Sequence, residues 1–282
     1  MCIRDSYSPA TLIQDAQRHG VTVLPIDITQ SEWDCTLESE SCRPPSVRIG
    51  LRFVTGLRTE SGYAIEAERA EQPFLDLPDL VRRIPFRRPE IEALAELGAL
   101  VHLKESPQDR RAALWQVASI ERDRSSLFAG HVEQSPPPQA LEKLSQLEET
   151  LVDYRLAGLT TGPQIMKHLR EALDQRGFAP AQKIPFIPNH QWVRTAGHVI
   201  VRQRPGSAKG FLFLTLEDET GLTNVVLTPR QSEQFRKVLL SSKLVEVQGK
   251  IQNVDQVVHI RLRHLAPLDL SASPLPPVRN FR

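Results

Sequence analysis

An α+β protein is expected here, with a mainly helical N-terminal part followed by a five-stranded β-barrel. Three observations predict it. The stretch from Trp192 to about Leu265 breaks into five short runs of β character. Alternation within them has the two-residue period of strands, with Phe211, Phe213 and Thr215 on one side and Leu212, Leu214 and Leu216 on the other. The only helix-spaced segment in this stretch, Gln231–Leu240, falls between the third and fourth runs.

The N-terminal half carries helices. Ser8-Pro9 suits a helix start, serine as cap and proline in the first turn, with Leu12, Ile13 and Ala16 apolar before Gly20. Val21–Ile26 is strand-like, Ser31–Leu37 is polar in its surroundings and Ser39–Ser46 reads as a loop. In Val47–Glu71 a short strand or helix start leads to Thr55-Gly56-Leu57, and a helix is predicted from about Thr59 through Arg69. Helix, glycine hairpin, helix is the shape of a helix-hairpin-helix element. Its hairpin N–H groups and following helix N-terminus would accept a backbone phosphate. The candidate contacts are Gly56, Leu57, Arg58, Thr59 and Gly62; Arg58 stands where such hairpins usually have a second glycine, and a plain αα turn fits the spacing equally. Pro89–Ala99 is a further helix with Ile91, Leu94, Ala95 and Leu97 inward, and Arg110–Val117 continues the helical character.

Composition changes at Ser119–Gln139, which is charged and ends in Pro136-Pro137-Pro138, and is expected to be an exposed linker. Leu127 and Phe128 within RSSLF could dock in a partner's pocket or fold back on the nearest helix. Gln139–Tyr154 and Pro163–Leu173 are two more helices, and the proline-rich Gly177–Asn189 leads into the barrel. The strands predicted there are Val193–Gln203, Phe211–Glu217, Leu222–Thr228, Leu244–Gln252 and Gln256–Arg263. Five strands with a helix after the third is the order of an OB-fold, a barrel that binds nucleic acids, sugars or proteins.

The whole chain of 282 residues has a net charge of only +1. Between His190 and Leu265, however, eleven Lys and Arg face six Asp and Glu. That local excess favours a polynucleotide, with phosphates held by cations and bases stacked on aromatic rings. The candidate contacts are Arg202, Arg204, Lys209, Phe211, Phe213, Lys250, Arg261 and Arg263. Three cysteines, Cys2, Cys35 and Cys42, fit neither a disulfide framework nor a zinc knuckle, so reduced thiols in a cytoplasm are expected. No apolar run approaches the ~20 residues that span a bilayer, and no secretory signal is read. No metal cluster is read either; Glu217–Glu219 is expected to be a solvated turn.

These segments resemble bacterial C-family DNA polymerases. The run YSPATLIQDAQRHGVTVLPIDITQSEWDCTLE, then VRIGLRFVTGL, IEALAELGALVHL and DRRAALWQV, is similar to the end of their fingers and their tandem helix-hairpin-helix region. DYRLAGLTTGPQIMKHLR, RTAGHVIVRQRPGSAKGFLFLTLEDETGLTNVVLTP and VRNFR resemble the error-prone, damage-induced member more narrowly. The resemblance runs from Tyr7 to Arg282. It implies residues 7–46 as the end of the fingers, 47–120 as the tandem helix-hairpin-helix region and 121–189 as a linker with two helices. It further implies 190–268 as the OB-fold domain and 269–282 as a tail, with Met1–Ser6 left out as a non-native remnant.

By that resemblance the parent would be a DNA-directed DNA polymerase, a nucleotidyltransferase working in translesion synthesis and repair. Its Mg²⁺-binding aspartates and PHP domain lie upstream, so this stretch is expected to have no cofactor and no activity alone. Single-stranded template and primer-template duplex are the implied partners, with the sliding clamp and accessory mutagenesis proteins as further candidates. RSSLF has the Leu-Phe ending of clamp-binding pentapeptides but not their initial Gln. A stand-alone, non-catalytic OB-fold protein for single-stranded nucleic acid is the rival, and a protein-docking module a third reading.

Overall fold

The computed structural model describes residues 8–39, 44–104, 109–124, 142–254 and 257–268. Met1–Ser6, the Leu127-Phe128 pair and the 269–282 tail lie outside the described residues. The chain divides into two compact units, Met1–Arg18 with Pro163–Arg282, and His19–Gly162. The first of these contains helix α1 (Pro9–Arg18) and is taken up below with the barrel.

The unit His19–Gly162 begins with a small sheet the sequence did not disclose. Strands β1 (Val23–Leu24), β2 (Thr36–Glu38) and β3 (Ser46–Arg48) lie in the order β1-β3-β2, parallel between β1 and β3 and antiparallel between β2 and β3. Strands of two or three residues are too short to show alternation: the first was read as strand-like, the third only as a short strand or helix start, and the second was not read. Buried Arg48 braces the sheet, donating to Glu38, to the Pro25 carbonyl at 3.1 Å and to Gln30 at 2.8 Å.

A single 3-10 turn (Leu51–Phe53) then leads through Gly56, at φ +86°, into α2 (Thr59–Glu71). Next come α3 (Leu77–Arg83), α4 (Arg88–Glu96), α5 (Arg110–Arg124) and α6 (Gln146–Leu156). Helix α3 was not expected. Pro78 reads as a breaker, yet in the first turn its missing N–H costs nothing, and Asp76 caps the helix by accepting from the Asp79 amide at 2.8 Å. Helix α5 runs past Ser119, where the sequence placed a linker. Helix α6 starts at a capping box in which Ser145 and Glu148 satisfy each other's amides.

In the other unit, α7 (Ile165–Gln175) and a 3-10 segment (Ala181–Phe186) precede β4 (Trp192–Gln203), β5 (Leu212–Asp218) and β6 (Gly221–Leu227). Helices α8 (Pro229–Gln234) and α9 (Arg236–Ser241) follow, then β7 (Leu244–Val254) and β8 (Val257–Pro267). The five strands close into a barrel in the order β4-β5-β6-β8-β7, antiparallel except between β6 and β8. Its core is apolar, with Leu214, Leu216, Val225, Leu227, Val245, Val247, Ile251 and Ile260 almost entirely excluded from water. The fold class and strand order are those predicted from the sequence.

Two local expectations change. The helix predicted as one piece over Gln231–Leu240 is two, broken where Phe235 leaves helical geometry (φ −99°, ψ 14°) with its ring buried. Helix α7 and the 3-10 segment, which precede the OB-fold domain expected from residue 190, belong to the same compact unit as the barrel. Arg170 of α7 pairs with Asp218 at 3.1 Å and with Glu219, and Asp218 also accepts from the Ala181 amide at 2.7 Å. That same network overturns the reading of Glu217–Glu219 as a solvated turn. Glu217 and Asp218 are 3% and 2% exposed, and Arg18 of α1 reaches Glu217 at 3.0 Å. Burial pushes the Glu217 carboxyl above its ordinary range, and the hydrogen bond from Arg18 opposes it.

Candidate nucleic-acid interface

Strand register places the outward side chains of the barrel. Trp192 of β4 is opposite Lys250 of β7, Lys250 is opposite Arg261 of β8, Arg261 is beside Val226 of β6, and Val226 is opposite Phe213 of β5. Each has buried neighbours along its own strand, so these side chains stand outward in one row across the strands. The row crosses all five strands and so passes round the closed barrel: Trp192, Lys250 and Arg261 are neighbours on β4, β7 and β8 over about 10 Å, while Phe213 on β5 is opposite Gln203 at the far end of β4. The row alternates in character: an indole 53% exposed, two cations, an aliphatic side chain, then a phenyl ring 38% exposed. Lys250 Nζ lies 5.2 Å from the centroid of the Trp192 ring, close enough for a cation–π contact that orients both.

Gly249 makes this arrangement possible. A Cβ built on it would lie 2.3 Å from the Arg261 carbonyl oxygen, so only glycine lets β8 approach β7 so closely beside Lys250. The register shifts at the same point: Gly249 is opposite Leu262 but Gln248 is opposite His264. Arg263 is the extra residue of this bulge and is turned out of the row.

Charge is unevenly neutralised over this unit. Arg18, Arg170 and Arg176 each meet a carboxylate. Among the described residues, none pairs with Lys250, Arg261 or Arg263. Unpaired cations next to exposed rings form a surface suited to a polyanion with flat groups, which is what a single strand presents.

Of the other barrel candidates, Arg202 lies near the end of β4, and Arg204, Lys209 and Phe211 lie in the connection from β4 to β5. Arg202 donates to the Ser242 carbonyl at 2.8 Å and Arg204 to the Ser232 hydroxyl at 2.8 Å, so each guanidinium is partly committed to the fold. Lys209 takes a left-handed conformation (φ 47°), and Phe211, two residues before Phe213, is 37% exposed. The structure thus unites Lys250 and Arg261, adds the Trp192 that sequence reasoning missed, and places Phe213 with Arg202 at the other end of β4, next to the loop that carries Arg204, Lys209 and Phe211. A signal for Trp192 did exist, because Trp192 and Arg194 alternate with the buried Val193 and Thr195.

The hairpin candidates are placed differently from expectation. Glu90 of α4, 1% exposed, takes the Arg58 amide at 2.9 Å, the Arg58 Nε and Nη2 at 2.9 Å, the Arg87 amide at 2.6 Å and the Ser61 hydroxyl at 3.0 Å. Burial alone would raise this carboxyl; the five donors outweigh it and bring it from 4.5 down to about 2. An internal carboxylate therefore holds both the Arg58 amide and its guanidinium. Gly62 serves packing, since a Cβ there would lie 2.3 Å from the Trp33 ring. Leu57 is buried, while Gly56 and Thr59 are exposed.

The carboxylates do not assemble a metal cage. Glu217, Asp218 and Glu219 are held by Arg18 and Arg170, Asp34 pairs with Arg52, and no group of three His, Cys, Asp or Glu side chains among the described residues is placed to hold an ion. Among the described residues no helix is long and apolar enough to cross a membrane.

A closed five-stranded barrel of this order, carrying a row of cations and aromatic rings, defines an OB-fold nucleic-acid-binding domain. Comparison with known families agrees: residues 193–268 match the OB-fold nucleic acid binding domain and residues 20–113 match the helix-hairpin-helix motif. Across both units the chain is a relative of error-prone DNA polymerases. It is 40% identical over 270 residues to the error-prone DNA polymerase of Azoarcus sp. (strain BH72), covering 93% of this chain and 25% of that protein. The proteins of the same name from Bordetella parapertussis and Pseudomonas aeruginosa are 41% and 40% identical over 263 and 265 residues, again 93% of this chain and 25% of theirs. The chain therefore spans about a quarter of the length of these relatives. Among solved structures, asparaginyl-tRNA synthetase from Pyrococcus horikoshii aligns over 32% of this chain and 22% of its own at 22% identity. Its TM-score is 0.28, too low for the likeness to bear on function.

Proposed function

We propose that this chain is the DNA-gripping portion of an error-prone DNA polymerase, with the barrel guiding single-stranded template. The observation that carries the reading is the Trp192–Lys250–Arg261 part of the row, whose cations have no carboxylate partner among the described residues. The relatives' name supports the polymerase part. Contacts of this kind are made to phosphates and base faces, so binding is sequence-tolerant and weakens steeply with salt.

In this reading the nucleotidyl transfer, its Mg²⁺ and the carboxylates that hold the metal belong to residues outside the chain. Glu217, Asp218 and Glu219 are held by arginines, no catalytic step is assigned to this chain, and the chain alone does not extend a primer. Synthesis across damaged template, a cytoplasmic location, and contacts to a sliding clamp or accessory mutagenesis proteins belong to the same proposal. With Arg58 committed to Glu90, any duplex contact in the His19–Gly162 unit would use groups other than that guanidinium.

Titrating the 282-residue chain into labelled single-stranded oligonucleotides at several salt concentrations tests the proposal. Each phosphate contact on a single strand contributes about −0.7 to the slope of log K against log[salt]. The double variant Lys250→Ala/Arg261→Ala is expected to bind more weakly at low salt and to lose about 1.4 from that slope. An unchanged slope would remove the row from the DNA-binding surface.

A further inference from the structure

The barrel has a recess beside the row, and Trp192 belongs to both. A cleft of about 720 Å³ opens between the start of β4, helix α8 and the bulged part of β8. That volume lies within the ~300–1,000 Å³ of clefts that hold small ligands. Its lining is chemically consistent. Trp192 offers a half-exposed indole, and Phe235 meets His264 edge-on with ring centroids 5.8 Å apart. Arg230 and Arg263 both line the cleft and are exposed, and among the described residues neither pairs with a carboxylate. The lining contains no Asp or Glu.

The amides divide into two kinds. Gln231 is spent on the fold, its oxygen accepting from Thr228 and its NH₂ donating to the Leu262 carbonyl at 2.7 Å. Gln234 and Gln248 are exposed in the same cleft and hold no such bond among the described residues, so each keeps a donor and an acceptor for a ligand. A flat ring surface, two amides able to meet a heterocycle's edge and two guanidinium groups suited to phosphate describe a site for a nucleotide. A cationic or purely apolar ligand would leave these arginines unanswered.

We propose that this cleft receives one nucleotide of the bound strand, its base unstacked from its neighbours and laid on Trp192, its phosphate held by Arg230 and Arg263. The inference rests on the reading that the row binds single-stranded DNA, and it adds where the strand leaves the row. The bulge has a role in this arrangement: by inserting Arg263 it moves one cation out of the row and into the recess.

The test is an abasic scan on the full chain. The shortest oligothymidylate that retains full affinity fixes the register, and a single abasic sugar is moved through each of its positions. One position is expected to lose about tenfold in affinity, the scale of a single stacked base. In Trp192→Ala that position-specific loss should disappear, and in Trp192→Phe it should largely remain. Losses spread evenly over all positions, or a specific loss that persists in Trp192→Ala, would overturn the cleft assignment while leaving the row intact. If the wild-type chain fails to bind the intact oligonucleotide, the row reading fails and the cleft falls with it.

Discussion

Replacing Glu90 by Gln should destabilise the His19–Gly162 unit more than a surface charge change could. In the native unit Glu90 Oε1 accepts from the Arg58 amide, Arg58 Nε and the Ser61 hydroxyl, and Oε2 accepts from Arg58 Nη2 and the Arg87 amide. A glutamine has one acceptor oxygen, so its NH₂ would face donors wherever it is put, with the Arg58 guanidinium left beside a neutral group. The carboxyl lies at about 2 in the folded unit against 4.5 when unperturbed. A depression of that size corresponds to about 3 kcal/mol of stabilisation of the charged form, and removing one partner of a buried ion pair costs a similar ~3–5 kcal/mol.

The direction with pH follows from linkage. Because the folded value is depressed, the contribution is fully present above 4.5 and is lost as pH falls from there to about 2. Urea unfolding followed by tryptophan fluorescence checks both points. A Trp192→Phe background leaves Trp33 and Trp115, both in the His19–Gly162 unit, as the reporting indoles. Glu90→Gln should lower stability at neutral pH by about 3 kcal/mol. Wild type should lose that advantage in acid while the variant changes less. A variant within ~0.5 kcal/mol of wild type, the range of ordinary surface changes, would show that the Arg58–Glu90 network does not hold the unit. So would equal pH dependence in the two proteins.

Other outcomes follow from the same geometry. Arg170→Ala strips the guanidinium from Asp218, which is 2% exposed, and should lower the barrel unit's stability by ~3 kcal/mol, read as a fall in its thermal midpoint; a midpoint equal to wild type's would assign Asp218 to its other donors, the amides of Ala181, Thr220 and Gly221 and the Thr220 hydroxyl. Gly249→Ala would set a methyl 2.3 Å from the Arg261 carbonyl, and should cost at least ~1–3 kcal/mol of barrel stability and displace Lys250 from Arg261. Amide chemical shifts of Lys250 and Arg261 that stay put would contradict that close approach.

What could be read along the chain and what could not divides by how local the cause is. The barrel strands were legible because each is seven to twelve residues long, and a half-buried strand must alternate over that length. The helix start at Pro9 was legible for a similar reason, since caps and first-turn prolines act within a few residues; the starts capped by Ser145 and Thr228 were not read, being expected at Gln139 and Gln231. The helical N-terminal part and the excess of cations around the barrel followed from composition and spacing. The small β1-β3-β2 sheet did not, because strands that short are held by partners distant in sequence and carry little pattern of their own.

The site itself was decided by tertiary structure. Arg58 stood out as a departure from the usual hairpin glycine with no partner in view until the fold brought Glu90 to it from 32 residues away, and Glu217 and Asp218 looked solvated until Arg18 and Arg170 closed over them. Conversely, Trp192, Lys250 and Arg261 lie apart in the chain and become one surface only through strand register. Sequence alone determines which segments can be strands or helices, because that depends on neighbours within a turn or a pleat. Which charges are neutralised and which remain available to a ligand depends on pairings across the fold, and only closure of the barrel and packing of the helices fixed those.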